Sequence, residues 1–419
     1  MKSRFHQVII ISLTLLALTA CADLNTAVMG DSLESSTVPS ETESMSIPVW
    51  GEPLTTELVP TLTPDSAISS PASRTPESPL ANDLNGVSST ATPTDVPVAV
   101  KTSADIDTTI TTMIFTGALV PARCVQAAID ERNDPDFIYA DIQELISDAH
   151  LTVGLLQSPL SDYPPHTGWC EDSSFVLVSR AENADAMARA GFDVMSVSSN
   201  HIKNCGLPNC GDITFLDTLE NLRKAGIIPV GGGMNLDEAK QPVVVTVNGI
   251  RFSFIALSAY YVPEPFAIDN QPGIASLTED HLREAVNAAK EISDVIIFLP
   301  HWGADYPTTL NEDQRDFSKI AVDAGVDLII GNHPHVLQGM QTIQDVPVFY
   351  SLGSFTFDQD WSLETQQGLV VRVTFQGTKV AWYDVIPIHI DGNGHVQVAS
   401  QDEAADILIR FQELSTDLK

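Results

Sequence analysis

From about residue 109 onward, short apolar runs rich in β-branched and aromatic residues alternate with segments whose apolar positions recur at helical spacing. The pattern predicts strands over 113–116, 151–156, 194–198, 227–230, 295–299 and 327–330, with further strands around 347–352 and 368–388. Helices are predicted over 138–148, 183–190, 213–224, 279–290 and 312–323, with a closing amphipathic helix over 402–413. Residues 243–247 and 251–257 read as a hairpin, because Asn248-Gly249 supplies a tight turn. Such alternation argues for a layered α/β domain. Polar residues gather directly after the apolar strands, at the edge where α/β folds build their sites.

The first 108 residues carry a different pattern. Lys2 and Arg4 precede an apolar run from Val8 to Leu18, the layout of an export signal. Leu18-Thr19-Ala20-Cys21 then matches a lipobox, so Cys21 is expected to be lipidated after removal of residues 1–20. This resembles a bacterial lipoprotein, tethered through its acyl chains to the extracytoplasmic face of the cell membrane. Residues 21–108 are dense in Ser, Thr and Pro, and after Cys21 only Arg74 and Lys101 are basic. A stretch this polar cannot bury a core and reads as a disordered, acidic linker ahead of the folded part, 109–419.

Composition narrows the function classes. Lys plus Arg number 21 against 55 Asp plus Glu, a net charge of -34, so nucleic acid is excluded as a partner: there is too little positive charge to release its counterions. The same charge means that electrostatics do not hold the chain to an anionic membrane. Beyond Cys21 four cysteines remain, Cys124, Cys170, Cys205 and Cys210, an even number suited to an oxidising compartment. Cys205 and Cys210 are close enough to pair locally, which leaves Cys124 with Cys170; the other reading of the four is a zinc site, although neither pair has the usual two-residue spacing.

Four histidines, His201, His301, His333 and His335, directly follow apolar strands, and Asn200 precedes the first of them. Imidazoles with an Asn carbonyl are ligands of hydrolytic metal centres, in which carboxylates neutralise and bridge the ions. Arg123 follows the first strand and offers a fork of donors to a carboxylate or phosphate, or anchors the acidic surface, and Trp302 beside His301 packs in the core or offers an apolar wall or sugar platform. The Gly231–Gly233 run is a weak phosphate-loop signal, since a tight turn also explains it.

An ordered series of segments makes the reading more specific. Phe115-Thr116-Gly117, Arg123, Ser158-Pro159-Leu160, Ala190-Gly191-Phe192-Asp193, Asn200-His201, Gly233-Met234-Asn235-Leu236 and His301-Trp302-Gly303 are followed by Gly331-Asn332-His333-Pro334-His335-Val336-Leu337-Gln338 and by the run from Val348 to Phe355. Over roughly residues 111–390 these resemble the CapA family of capsule-synthesis proteins, associated with poly-gamma-glutamate. The resemblance implies an α/β/β/α sandwich of the metallophosphoesterase-like type. It places Asn200, His301, His333 and His335 at metal-ligand positions and His201 at the position of a general acid. Two positions depart from the family pattern: Ala118 stands where Asp is usual, and Leu155-Leu156-Gln157 replaces Asn-Leu-Glu. Without a bridging anion two divalent ions repel, so the expectation is at most one ion of zinc, manganese or iron. Asp305 and Asp358 are candidate replacement carboxylates.

The implied function is synthesis, anchoring or processing of an anionic capsular polymer, poly-gamma-glutamate or similar, alone or within its synthetic complex, by metal-assisted hydrolysis or transfer. The alternatives are a non-catalytic binding or scaffold member with a degenerate metal site, and an active metallophosphoesterase.

Overall fold

The computed structural model describes residues 108–164, 170, 176–259 and 265–418. The expected signal segment, Cys21 and the acidic linker lie outside the described residues. The chain runs β1 (Ile110–Leu119), α1 (Cys124–Arg132), a 3-10 turn (Phe137–Tyr139), α2 (Gln143–Ser147), β2 (Leu151–Leu156), α3 (Asn183–Ala190), β3 (Val194–Ser196), α4 (Gly211–Lys224) and β4 (Ile228–Val230). Next come β5 (Gly232–Gly233), α5 (Leu236–Ala239), β6 (Val243–Val247), β7 (Ile250–Ile255), β8 (Gly273–Ile274), α6 (Glu279–Ile292) and β9 (Val295–Phe298). The last part comprises α7 (Glu312–Ala324), β10 (Leu328–Ile330), β11 (Leu337–Ile343), β12 (Val346–Leu352), β13 (Ser354–Thr356), β14 (Gln367–Gln376), β15 (Lys379–Ile390), β16 (Val396–Val398) and α8 (Gln401–Thr416).

Two large sheets result. One has the order β16-β15-β14-β1-β2-β3-β4, with β13 also paired to β1, and the other has the order β11-β12-β10-β9-β7-β6. Their centres are parallel: β1 to β4 in the first and β7, β9, β10 and β12 in the second. Alternation along each strand sends one set of side chains between the sheets and the other outward. Met113, Phe115, Val153, Leu155 and Val194 face Phe252, Phe254, Ile297, Leu328 and Phe349 in the inner layer. Ile114, Leu156 and Met195 point the other way, onto Val125, Ile129, Met187, Phe215 and Leu219 of the first helical layer. Ile255, Ile296, Phe298 and Ile329 do the same toward α6 and α7. Ile407 and Phe411 of α8 join the inner layer. The expected α/β/β/α sandwich is therefore observed.

Local signals explain most boundaries. Asn248 and Gly249 take positive φ, 53° and 84°, as a two-residue hairpin turn requires. The α7 start carries a full capping box, Asn311 with Gln314, and Thr278 caps α6. The helix expected over 138–148 is a correction: it divides into the 3-10 turn and α2, with Asp141 between them bridging to Gln397 of β16. On its outer side, among the described residues, β15 pairs with β16 only through Ile388, His389 and Ile390, with Pro387 accepting from the Ala399 amide, so the residues before Pro387 form an edge without a neighbouring strand.

Candidate functional site

Because the central strands of both sheets are parallel, their C-terminal ends open on loops that carry the polar residues. Isolated parallel bridges join Ser258 to His301 and His301 to Asn332, which extends the strand register into the loops. Asn200, His301, His333 and His335 are all buried, with 5% or less of the surface of any of them exposed. His301 Nε2 lies 2.9 Å from Asn200 Oδ1. The His301 and His333 rings stand 4.6 Å apart, and His335 follows at 6.2 Å from His333. His335 Nδ1 lies 3.2 Å from Ser354 Oγ, which orients the ring. The structure thus brings the four expected residues into one cluster.

The loop geometry around the cluster is constrained. His333 and His335 both have positive φ, 111° and 59°, a backbone state that non-glycine residues rarely adopt and that concentrates at functional sites. Gly331 permits the approach: a Cβ there would lie 2.3 Å from the Tyr350 carbonyl oxygen and 2.4 Å from Trp302 Nε1. Trp302 is fully buried, donates through Nε1 to the Tyr350 carbonyl at 2.9 Å, and packs against Phe298 and Tyr350. Its ring is packed on both sides in the core, so of the readings for Trp302 the buried packing role is the one the fold gives it.

Burial also sets the charge of the cluster. It pushes His333 down to about 3, with the neighbouring His201 adding to the effect. Burial and then neighbouring histidines hold His301 and His335 well below the ordinary imidazole range. Burial, with help from the Arg123 guanidinium, brings His201 down to about 4, and its Nδ1 lies 2.8 Å from Asn204 Nδ2. All four imidazoles are neutral at pH 7, with lone pairs to offer.

The carboxylates expected to complete a two-ion centre are missing in space as well as in sequence. Gln157 is fully buried, and neither of its amide atoms has a hydrogen-bond partner among the described residues; Ala118 is fully buried beside Leu155. Asp305 Oδ1 is 3.6 Å from His333 Nε2, and burial raises its pKa. Asp358 is committed elsewhere. It pairs with Arg123 through both guanidinium Nε and Nη2 and accepts from the Cys124 amide at 3.0 Å. The carboxylate offered to the Arg123 fork is thus Asp358 of this chain, and each neutralises the other, which leaves Asp358 unavailable as a replacement metal carboxylate. Sequence reasoning missed this pair because 235 residues separate its members.

Among the described residues no three His, Cys, Asp or Glu side chains converge on one point. The neutral donors Asn200, His301 and His333, with His301 Nδ1 buried and without a hydrogen-bond partner among the described residues, suit a single divalent ion. They do not suit two, for want of an anion between them. Cys124 pairs with Cys170 and Cys205 with Cys210, as the disulfide reading expected, which removes the zinc alternative for these thiols.

Comparison with known proteins places the chain among relatives. A family model described as bacterial capsule synthesis protein PGA_cap matches residues 112–359. The capsule biosynthesis protein CapA of Bacillus anthracis is 28% identical over 69% of this chain and 70% of its own length. The PGA biosynthesis protein CapA of Bacillus subtilis is 26% identical over 66% of this chain and 70% of its own. Among solved structures, the NAD nucleotidase of Haemophilus influenzae aligns over 73% of this chain and 56% of its own with a TM-score of 0.41 and 14% identity. The family match covers more than half of the chain and takes in Asn200, His201, His301, His333 and His335 together, so the chain belongs to the bacterial capsule synthesis protein family PGA_cap.

Proposed function

We propose that this protein acts in the synthesis, anchoring or processing of an anionic capsular polymer, poly-gamma-glutamate or a similar chain, with the histidine cluster as its working site. The observation that carries the reading is the 2.9 Å approach of His301 Nε2 to Asn200 Oδ1, with the buried, neutral His333 ring beside them. The contact is a hydrogen bond in the resting site, so an ion would displace its proton and take both atoms as adjacent ligands. Asn200, His301 and His333 would hold the ion, with His335 next to them; zinc, manganese or iron at this place supplies a Lewis acid for hydrolysis or transfer. His201 is a base in the resting site, because its imidazole is neutral. It takes up a proton when negative charge builds beside it and returns that proton to a leaving group. Asp305 stands 3.6 Å from His333 Nε2 on the more exposed side of the cluster. Membrane tethering through Cys21 on the extracytoplasmic face belongs to the same proposal, since it keeps the domain where a capsular polymer is handled.

The test is the metal content of the purified protein by elemental mass spectrometry, beside a His333→Ala/His335→Ala double variant. About one equivalent of zinc, manganese or iron, lost in the variant, supports the reading. No bound ion after reloading, together with no cleavage or transfer of poly-gamma-glutamate, discards the catalytic part. A second reading is favoured by buried, neutral Gln157 and Ala118: the cluster then binds the polymer or a partner without breaking a bond. The two part on whether polymer length changes on incubation.

A further inference from the structure

The structure places an exposed aromatic pair at the outer edge of the histidine cluster. Tyr306 stands 6.3 Å, ring to ring, from buried His335, and its amide donates to the Pro334 carbonyl at 2.9 Å. Trp361 meets Tyr306 edge to face at 4.7 Å and 87°. Although aromatic rings normally gain by burial, Tyr306 is 41% exposed and Trp361 58%. The pair is held in position: Tyr306 has φ of 75°, and its hydroxyl accepts from Gln359 Nε2 at 2.9 Å. Gln359 is itself 92% buried by its 8% exposure, and its Oε1 has no hydrogen-bond partner among the described residues. The pair thus keeps exposed ring surface beside the cluster, braced from behind by the buried Gln359 amide.

The charge nearby selects the ligand. Asp305 precedes Tyr306, and Asp360 and Glu364 flank Trp361, while Arg123 is neutralised by Asp358. Carboxylates repel a polyanion yet accept hydrogen bonds from hydroxyl groups. We infer that Tyr306 and Trp361 form a sugar-stacking subsite that takes the apolar face of an uncharged hexopyranose, with the half-exposed Asp305 carboxylate receiving its hydroxyls. The subsite lies beside the proposed working site and needs no ion. It would seat a neutral glycan, distinct from the anionic polymer, against the same cluster.

The experiment is calorimetric titration of the full protein, in chelator, with tetra-N-acetylchitotetraose and maltotetraose, and separately with poly-gamma-glutamate. Saturable binding of an uncharged oligosaccharide is expected, weakened about tenfold or more in Trp361→Ala, which corresponds to about 1.4 kcal/mol. Trp361→Phe should keep most of the affinity. Trp382→Ala, an exposed tryptophan on β15, should match the unmodified protein. No saturable binding of either oligosaccharide would overturn the inference, as would equal losses in Trp361→Ala and Trp382→Ala, or Trp361-dependent binding of poly-gamma-glutamate alone. Because ions are removed, failure here is separate from failure of the metal reading.

Discussion

Acidification should destabilise this domain through its buried histidines, and the size of the effect follows from their surroundings. His201 and His333 titrate at about 4 and about 3 in the folded protein, against 6.5 for an imidazole in an unfolded chain. Lowered folded values mean that the unfolded state binds protons first, so stability is fully present above pH 6.5 and is lost as the pH falls toward the folded values. At pH 5 the unfolded imidazole is about 1.5 units below its pKa while the folded one is still neutral; at about 1.4 kcal/mol per unit each group costs about 2 kcal/mol. The pair therefore removes about 4 kcal/mol between pH 7.5 and 5, and His301 and His335 act in the same direction. For a domain of about 310 residues this is a fall in Tm of roughly 6 °C. Buried Asp193, Asp305 and Asp327 have raised values and oppose the trend. Differential scanning calorimetry in chelator, comparing the unmodified protein with His333→Gln, cancels that opposition. The variant should lose about 2 kcal/mol less over the same interval. Parallel pH profiles would refute the reasoning, because they would show that His333 is not held neutral by the fold.

Three further outcomes are expected. Asp358→Asn should cost about 3–5 kcal/mol in denaturant unfolding, because it strands the Arg123 guanidinium in a site where the two side chains are 8% and 0% exposed. Replacing Cys124 and Cys170 together by Ser should cost about 4 kcal/mol and replacing Cys205 and Cys210 about 2, because the first bridge spans 46 residues and the second 5; equal losses would count against loop closure as the cause. Gly331→Ala should lower Tm and, in elemental analysis, reduce bound metal, since its Cβ would meet the Tyr350 carbonyl and the Trp302 ring, which the buried core cannot move aside. Unchanged Tm would show that the loop has more room than its contacts indicate.

The parts of the fold that could be read in advance were those where burial leaves a periodic trace. β2 and α3 have the predicted limits because Leu151–Leu156 is apolar throughout and Asn183–Ala190 has one apolar stripe ended by Gly191. In contrast, α1 was not foreseen: it buries Gln126 along with Val125 and Ile129, since that amide bonds Asp130, Asn183 and the Arg180 backbone. Nor was β11, whose polar Gln338 and Gln341 are satisfied by Gln314 and Tyr350. At the site, the histidines announced themselves by following strands. The aromatic pair did not, because Tyr306 and Trp361 are separated by 55 positions and neither follows a strand or belongs to a motif. Arg123 and Asp358 were each visible as charges; their mutual neutralisation exists only in three dimensions.

The open outer side of β15 has a consequence for how copies of this molecule behave together. Among the described residues, those of β15 before Pro387 have no strand on their outer side, with Trp382 half-exposed among them, a template on which another strand can add. What keeps such additions rare is long-range repulsion, as a net charge of -34 pushes identical chains apart before their edges meet. That safeguard is a property of the solvent. In 1 M salt the screening length shrinks to about 3 Å, and mild acid removes part of the charge itself. Concentrated brine or low pH should therefore turn a self-avoiding surface into a sticky one, so that solubility and folding stability decline together on the acid side.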